Sequence, residues 1–307
     1  MKRFIIRVIL FAAALLAIVS AFVYPLTLYF EHQAFISPRP PYVNMNRVDS
    51  LHGVDADLII LGNSRGEGHY SDTLLSTLTG MKCLNLGLTG FPFNYQYHIM
   101  YEPYIQYNKA PKVIIQDIGP WAFFGYAMPK YSIEMTPYIT RPNYRFLRDI
   151  CPEISYFDQF RLIRYTGRIG KVIKELKNLS IQPEEISQEY RKGYVKHQEP
   201  LECDTAIIHL FSQFIDECEQ RNIRLVLVCS PIHGEDGLRF FDMDGFWRII
   251  GDVTRGKNVE VWNLSETYGS DTSYFRDAMH LNNVGMLDFT RQVAERLSST
   301  IHGVSSR

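Results

Sequence analysis

The sequence predicts an α/β protein: a doubly wound, five-stranded parallel sheet with an insertion in its middle and a transmembrane helix at its N-terminus. Three observations carry this expectation. From residue 56 onward, short and almost continuous apolar runs alternate with amphipathic stretches, the pattern of parallel strands covered by helices on both faces. The stretch 121–200 interrupts that alternation, and it then resumes. Residues 8–30, VILFAAALLAIVSAFVYPLTLYF, hold no charge over 23 residues.

At about 1.5 Å per helical residue, that run is long enough to cross a hydrocarbon core of about 30 Å. Lys2, Arg3 and Arg7 precede it and Glu31 follows. The basic flank is expected to stay in the cytoplasm and the remainder to be exported. The expected location is a bacterial-type inner membrane, single-pass, with the large domain periplasmic or extracellular and residues 8–30 in lipid. A cleaved signal peptide ending at Val19-Ser20-Ala21 is the competing reading. The apolar run continues past Ala21, which favours an uncleaved anchor. Residues 31–54, with Pro38, Pro40 and Pro41, form the expected linker, and 55–300 the α/β domain.

Within that domain, 56–61 is the first apolar strand. Residues 71–78 are helical, with Ser71 as N-cap. Residues 82–86 form the second strand, 92–107 an aromatic-rich helix, and 112–118, KVIIQDI, the third strand. The segment 121–200 is rich in Tyr, Phe, Arg and Pro and includes one basic helical stretch, 162–179. It is too long for a simple connection. Two readings stay open: a groove or lid over the substrate, with Trp121, Phe123 and Phe124 lining it, or a structural subdomain. Then follow a helix at 204–220, a strand at 223–229, a helix at 237–253, a fifth strand at 259–264 and a closing helix at 283–297. Ligands of such sheets sit at the carboxyl ends of the strands. Ser64, Gly87 to Gly90, Gly119 and Asp277 all fall just past strand ends, so they are expected at one edge.

Composition narrows the function. An apolar content of 46% and a charged content of 21% suit a chain that buries a core. The net charge of −1 gives no reason to expect nucleic acid as a partner. With Lys2, Arg3 and Arg7 set aside from the 32 basic residues, 29 face 33 acidic ones, so the exported part is about −4, which argues against its gripping an anionic membrane surface. The five cysteines include no Cys-X-X-Cys pair, which argues against a zinc or redox centre. His233-Gly234-Glu235-Asp236 contains metal-ligand residue types but no further cluster, and is read as a loop. No phosphate loop is present. No metal and no cofactor are expected.

The chemistry is carried by Gly62-Asn63-Ser64 after the first strand and Asp277-Ala278-Met279-His280 before the last helix. Acyl transfer needs an exposed hydroxyl on a sharp turn, a neutral imidazole to take its proton, and a carboxylate to orient the imidazole. Ser64 is the expected nucleophile, His280 the base and Asp277 the orienting acid.

These blocks resemble the SGNH (GDSL-like) hydrolase superfamily over roughly 56–118 and 223–298. Leu61-Gly62-Asn63-Ser64 looks like its nucleophile block. Asn85-Leu86-Gly87-Leu88-Thr89-Gly90 looks like its second block, and Asp277 to His280 like its last. The resemblance implies a flavodoxin-like sheet and an oxyanion hole made by the N–H groups of Ser64 and Gly90. With a membrane anchor, the chain is similar to the DltD-like and alginate-acetylation-type branches, which act on acyl groups of envelope polymers. One position departs: Pro120 stands where the third block carries an asparagine donor, and proline offers neither N–H nor side-chain donor. Asn94, Asn63 and Arg65 are possible substitutes. Arg65, Asn94 and Trp121 are expected to contact substrate. The expected function is a serine esterase or O-acyltransferase on an envelope polysaccharide, its partners an acylated glycan and a membrane O-acyltransferase. The alternative is a non-catalytic assembly protein that keeps the fold.

Overall fold

The five apolar runs become five parallel strands: β1 (Leu58–Leu61), β2 (Cys83–Asn85), β3 (Val113–Asp117), β4 (Arg224–Cys229) and β5 (Glu260–Asn263). They pair in the order β2-β1-β3-β4-β5. In register, Leu61 lies beside Gln116 and Gln116 beside Leu227, so the chain leaves β1, β3 and β4 at one level of one edge. Each strand is slightly shorter than the apolar run that predicts it.

This computed structural model describes residues 1–37, 42, 46, 53–125, 132–139, 144–180, 187–192, 203–238 and 241–304. The linker prolines Pro38, Pro40 and Pro41 lie outside the described residues. Among the described residues the α-helices, in chain order, are α1 (Lys2–Ile36), α2 (Ser64–Gly68), α3 (Asp72–Thr79), α4 (Phe93–Tyr95), α5 (Glu102–Tyr107), α6 (Ser132–Met135), α7 (Tyr144–Ile150), α8 (Ile169–Ser180), α9 (Thr205–Gln220), α10 (Met243–Thr254) and α11 (Asn283–Val304). A π-helical turn, Gln96–Tyr101, joins α4 to α5.

The chain divides into two compact units, one of Met1–Asn46 with Tyr126–Glu184, the other of Arg47–Gly125 with Glu185–Arg307. The larger unit holds the whole sheet. Alternation along the strands sends Leu58, Ile60, Val113, Ile115, Val226 and Val228 to one face, where they pack with Leu75 of α3 and with Phe289, Val293 and Leu297 of α11. The aromatic-rich helix packs against α9: the Phe93 ring lies 4.7 Å from Phe211 and 5.4 Å from Phe214. Phe123, expected in a groove, is instead buried in this aromatic layer, 5.2 Å from Phe211.

In the smaller unit α1 is one helix of 35 residues, with Pro25 inside it. It is long and apolar enough to cross a membrane. It runs through residues 31–36, which the sequence assigned to the linker. Phe30 packs with Ile133, Tyr165 and Val172. The basic helix starts at Ile169 rather than 162, because Tyr165 takes a positive φ of 70° that breaks helical continuation. The segment read as one insertion, 121–200, therefore spans both units.

Candidate active site

The turn after β1 is shaped by glycine. Gly62 has φ 151°, and a Cβ there would lie 2.8 Å from both the Asp117 Cβ and the Gly66 Cα. Only glycine allows that conformation and that approach together. Asn63 then caps α2, its side chain accepting from the Arg65 N–H at 3.0 Å. Ser64 becomes the first residue of a short helix and its hydroxyl is held at the strand edge.

The Ser64 Oγ lies 2.8 Å from His280 Nε2. The other ring nitrogen, Nδ1, lies 2.9 Å and 3.0 Å from the two carboxylate oxygens of Asp277. A carboxylate can only accept, so Nδ1 carries the proton and Nε2 presents its lone pair to Ser64. The Asp277 oxygen Oδ1 also accepts from the N–H groups of Met279 and His280, at 2.8 Å and 2.9 Å. Burial pushes the Asp277 carboxyl up, but the His280 ring and those two N–H groups outweigh it and hold the pKa below the usual carboxylate value. The three expected residues are thus brought together from opposite ends of the domain.

The second block is laced onto the same turn. The Leu88 N–H donates to the Gly62 carbonyl at 2.7 Å, and the Thr89 N–H to Glu67 Oε2 at 3.1 Å. Gly87 is where this loop crosses α2: a Cβ there would sit 2.2 Å from the Glu67 nitrogen. Gly90, with φ 80°, follows directly. The N–H groups of Ser64 and Gly90 donate to no acceptor among the described residues.

The three expected substrate contacts differ in what surrounds them. Arg65 turns into the protein. Its side chain is buried, 1% exposed, and its Nε donates to Ser230 Oγ at 3.1 Å, with Nη2 bonding both the hydroxyl and the carbonyl of Ser230. Helix α2 turns this side chain inward, between the ends of β3 and β4. Trp121 is half-buried, its ring 4.8 Å from the Arg65 guanidinium carbon and 5.1 Å from the Phe241 ring. Asn94 keeps a buried Oδ1 that accepts no hydrogen bond from a described residue. Pro120, at the departing position, opens a buried 3-10 turn, Pro120–Phe123.

Beneath the triad lies a second layer, in which sequence reasoning read Asp117 as a structural hydrogen-bonding residue but missed His69 and the part played by Ser230. His69 is fully buried. Its Nε2 accepts from the N–H of Leu281, the residue after His280, at 3.1 Å, and its Nδ1 lies 2.9 Å from Ser230 Oγ. Burial, reinforced by the Arg65 guanidinium, pushes the His69 pKa well below the ordinary imidazole value, so the ring is neutral. Asp117, at the end of β3, accepts from Tyr70 Oη at 2.8 Å and lies 3.8 Å from Arg65 Nε. Burial raises its pKa, while Arg65 and the hydroxyls of Ser230 and Tyr70 pull the other way. The signal for Ser230 was its place just past β4; nothing in the spacing marked His69.

The base loop is tied down elsewhere by backbone. The His233 N–H donates to the Ala278 carbonyl at 3.1 Å, Arg276 N–H to the His280 carbonyl at 2.9 Å, and Arg191 N–H to the Arg276 carbonyl at 2.7 Å. His233 itself spends both ring nitrogens on loop contacts, with Ser270 and with the Asp236 N–H. Among the described residues no group of three or more His, Cys, Asp and Glu could hold a metal ion.

No family model matches this chain, and no curated protein matches it. The chain is an α/β protein with a five-stranded, all-parallel sheet, one long apolar N-terminal helix, and a Ser-His-Asp constellation at the carboxyl edge of that sheet.

Proposed function

We propose that this protein is a membrane-anchored serine ester hydrolase or O-acyltransferase of the SGNH type, acting on acyl groups of a cell-envelope polysaccharide. The observation that carries the reading is the unbroken relay from Ser64 Oγ through His280 Nε2 and Nδ1 to Asp277, at 2.8 Å and 2.9 Å. The strand order 2-1-3-4-5, common to flavodoxin-like sheets, agrees with it.

Ser64 Oγ attacks the acyl carbonyl while His280 Nε2 takes its proton. The N–H groups of Ser64 and Gly90 stabilise the oxyanion. His280 then protonates the departing alkoxide, leaving an acyl-Ser64 ester. Water or a sugar hydroxyl, deprotonated by the same imidazole, attacks that ester and frees the serine. With α1 as anchor and a cytoplasmic N-terminus, the site faces periplasmic or extracellular glycan, and a membrane O-acyltransferase is a fitting donor partner.

Pro120 favours a second reading, a binding protein that keeps the fold without turnover, since a missing oxyanion donor typically costs about 10²–10³ in rate. One experiment separates the two. The full-length chain in detergent is treated with a fluorophosphonate probe and assayed on p-nitrophenyl acetate. Labelling at Ser64, abolished in Ser64→Ala together with the hydrolysis, supports the enzyme. Equal rates for wild type and Ser64→Ala, with no adduct on either, support the binding protein.

A further inference from the structure

We propose that residues 155–162 form a foot that rests in the headgroup layer of the same bilayer that α1 enters. The inference rests on α1 being a membrane anchor and is independent of the chemistry at Ser64.

Four large apolar side chains in this short segment face outward: Tyr156 is 62% exposed, Phe157 58%, Leu162 48% and Phe160 38%. Three of them meet edge to face, with the Tyr156 ring 6.1 Å from Phe157 and 5.6 Å from Phe160, and Tyr156 is backed on its other side by the buried Tyr144 ring at 6.2 Å. Such a cluster on a protein surface marks a binding face.

The segment is held rigidly in this pose. Ser155 and Asp158 form a capping box over the 3-10 turn Tyr156–Gln159. Asp158 is buried and paired with Arg168, and its carbonyl accepts from Arg164 Nε at 2.7 Å. The outward rings are therefore a built feature of the turn.

The level of the segment along α1 identifies what covers it. Between Phe4 and Phe22 no residue of α1 is buried, whereas from Val23 one face is covered by Val23, Thr27, Phe30, Glu31 and Ala34 packing inward. Those nineteen positions, all exposed except the half-buried Val19 and Ser20, span about 28 Å, the thickness of a hydrocarbon core. Just beyond them the segment is fastened. Thr27 Oγ1 donates to the Arg164 carbonyl at 3.3 Å, Phe30 meets Tyr165 at 5.3 Å, and Glu31 takes Arg161 Nε and Arg164 Nη1, each at 2.6 Å. Glu31 is also the first charge after the uncharged run. Whether the hydrocarbon ends at Phe22 or at Phe30, the foot lies at the border where aromatic rings collect. Ile169 and Ile173, 36% and 46% exposed on the helix packed against α1, add apolar surface in the same unit. Arg161, within the segment, is half-exposed while its guanidinium is held by Glu31.

The test uses the full-length chain in nanodiscs of phosphatidylcholine and phosphatidylglycerol with brominated acyl chains. Phe157→Trp and Phe160→Trp are compared with wild type, whose own tryptophans are Trp121, Trp247 and Trp262. Phe11→Trp reports the anchor itself. The expected result is that added emission from Phe157→Trp and Phe160→Trp is blue-shifted, mostly lost to brominated lipid and shielded from acrylamide. Acrylamide quenching of both with lipid quenching of Phe11→Trp alone overturns the foot while keeping the anchor, and leaves that face open to a protein. Lipid quenching of none of the three overturns the anchor and the foot together. Both substituted positions are surface rings, and an unchanged circular dichroism spectrum verifies the fold.

Discussion

His280 owes its position to neighbours on both sides of it, Asp277 and Leu281. Its own carboxylate partner is the nearest. Asp277→Asn would present an amide to Nδ1 and stabilise the wrong tautomer. A loss of about 10⁴-fold in kcat is typical of that change in Ser-His-Asp sites, and it is expected in the hydrolysis of p-nitrophenyl acetate with the fold intact. A loss below tenfold would remove Asp277 from the relay. One step further back, His69 Nε2 holds the Leu281 N–H. Its pKa is lower folded than unfolded, because burial disfavours the cation. As pH falls through the ordinary imidazole value of about 6.5, the unfolded chain takes the proton first, so this contribution to stability is complete above that value and is lost below it. The urea midpoint of wild type is therefore expected to fall between neutral and mildly acidic pH, and to fall less steeply in His69→Gln. Parallel slopes for the two proteins would show that His69 is not the group responsible.

At one junction of the site two elements meet backbone to backbone. Gly87 lets the second-block loop lie directly on α2, so Gly87→Ala must push the two apart by more than an ångström. Overpacking of this kind costs about 1–3 kcal/mol. A lowered thermal midpoint is expected, with a disproportionate loss of turnover because the displaced loop carries Gly90. Unchanged turnover would detach Gly90 from the oxyanion site. Most elements around this junction were legible in the sequence, because parallel strands buried on both faces must read as continuous apolar runs. Other features were not legible, for physical reasons. The start of α10 at Met243 rather than 237 is set by Asp242, whose carboxylate accepts from the Gly245 N–H at 2.8 Å. The π-helical turn at Gln96–Tyr101 gives no periodic signal, since an aromatic-rich run keeps an apolar face in either helix. Arg65 looked like a ligand because a charge beside a nucleophile usually is; its inward turn depends on Ser230, more than 160 residues away.

At the scale of the whole molecule, the sequence separated an anchor, a linker and a domain, while the contacts group the anchor with 126–184. That grouping could not be read locally, because it hangs on pairs such as Glu31 with Arg164, 133 residues apart. Glu31 is 2% exposed, and removing its charge leaves Arg164 buried without a counterion. Truncating one partner of a buried pair typically costs about 3–5 kcal/mol. Glu31→Gln is expected to speed proteolytic cutting within 126–184 while the unit that holds the sheet keeps its resistance. Equal resistance of wild type and variant would mean that the pair adds nothing to the smaller unit.

The distance in sequence between nucleophile and base has a consequence for the making of the protein. Ser64 and His280 are 216 residues apart. At about 5–20 residues per second, synthesis delivers the base roughly 10–40 s after the serine. Throughout that interval the growing chain carries a hydroxyl with no imidazole to activate it. A chain cut short before residue 280 never acquires that imidazole. On the proposed function, the site can therefore become reactive only once residue 280 has been made.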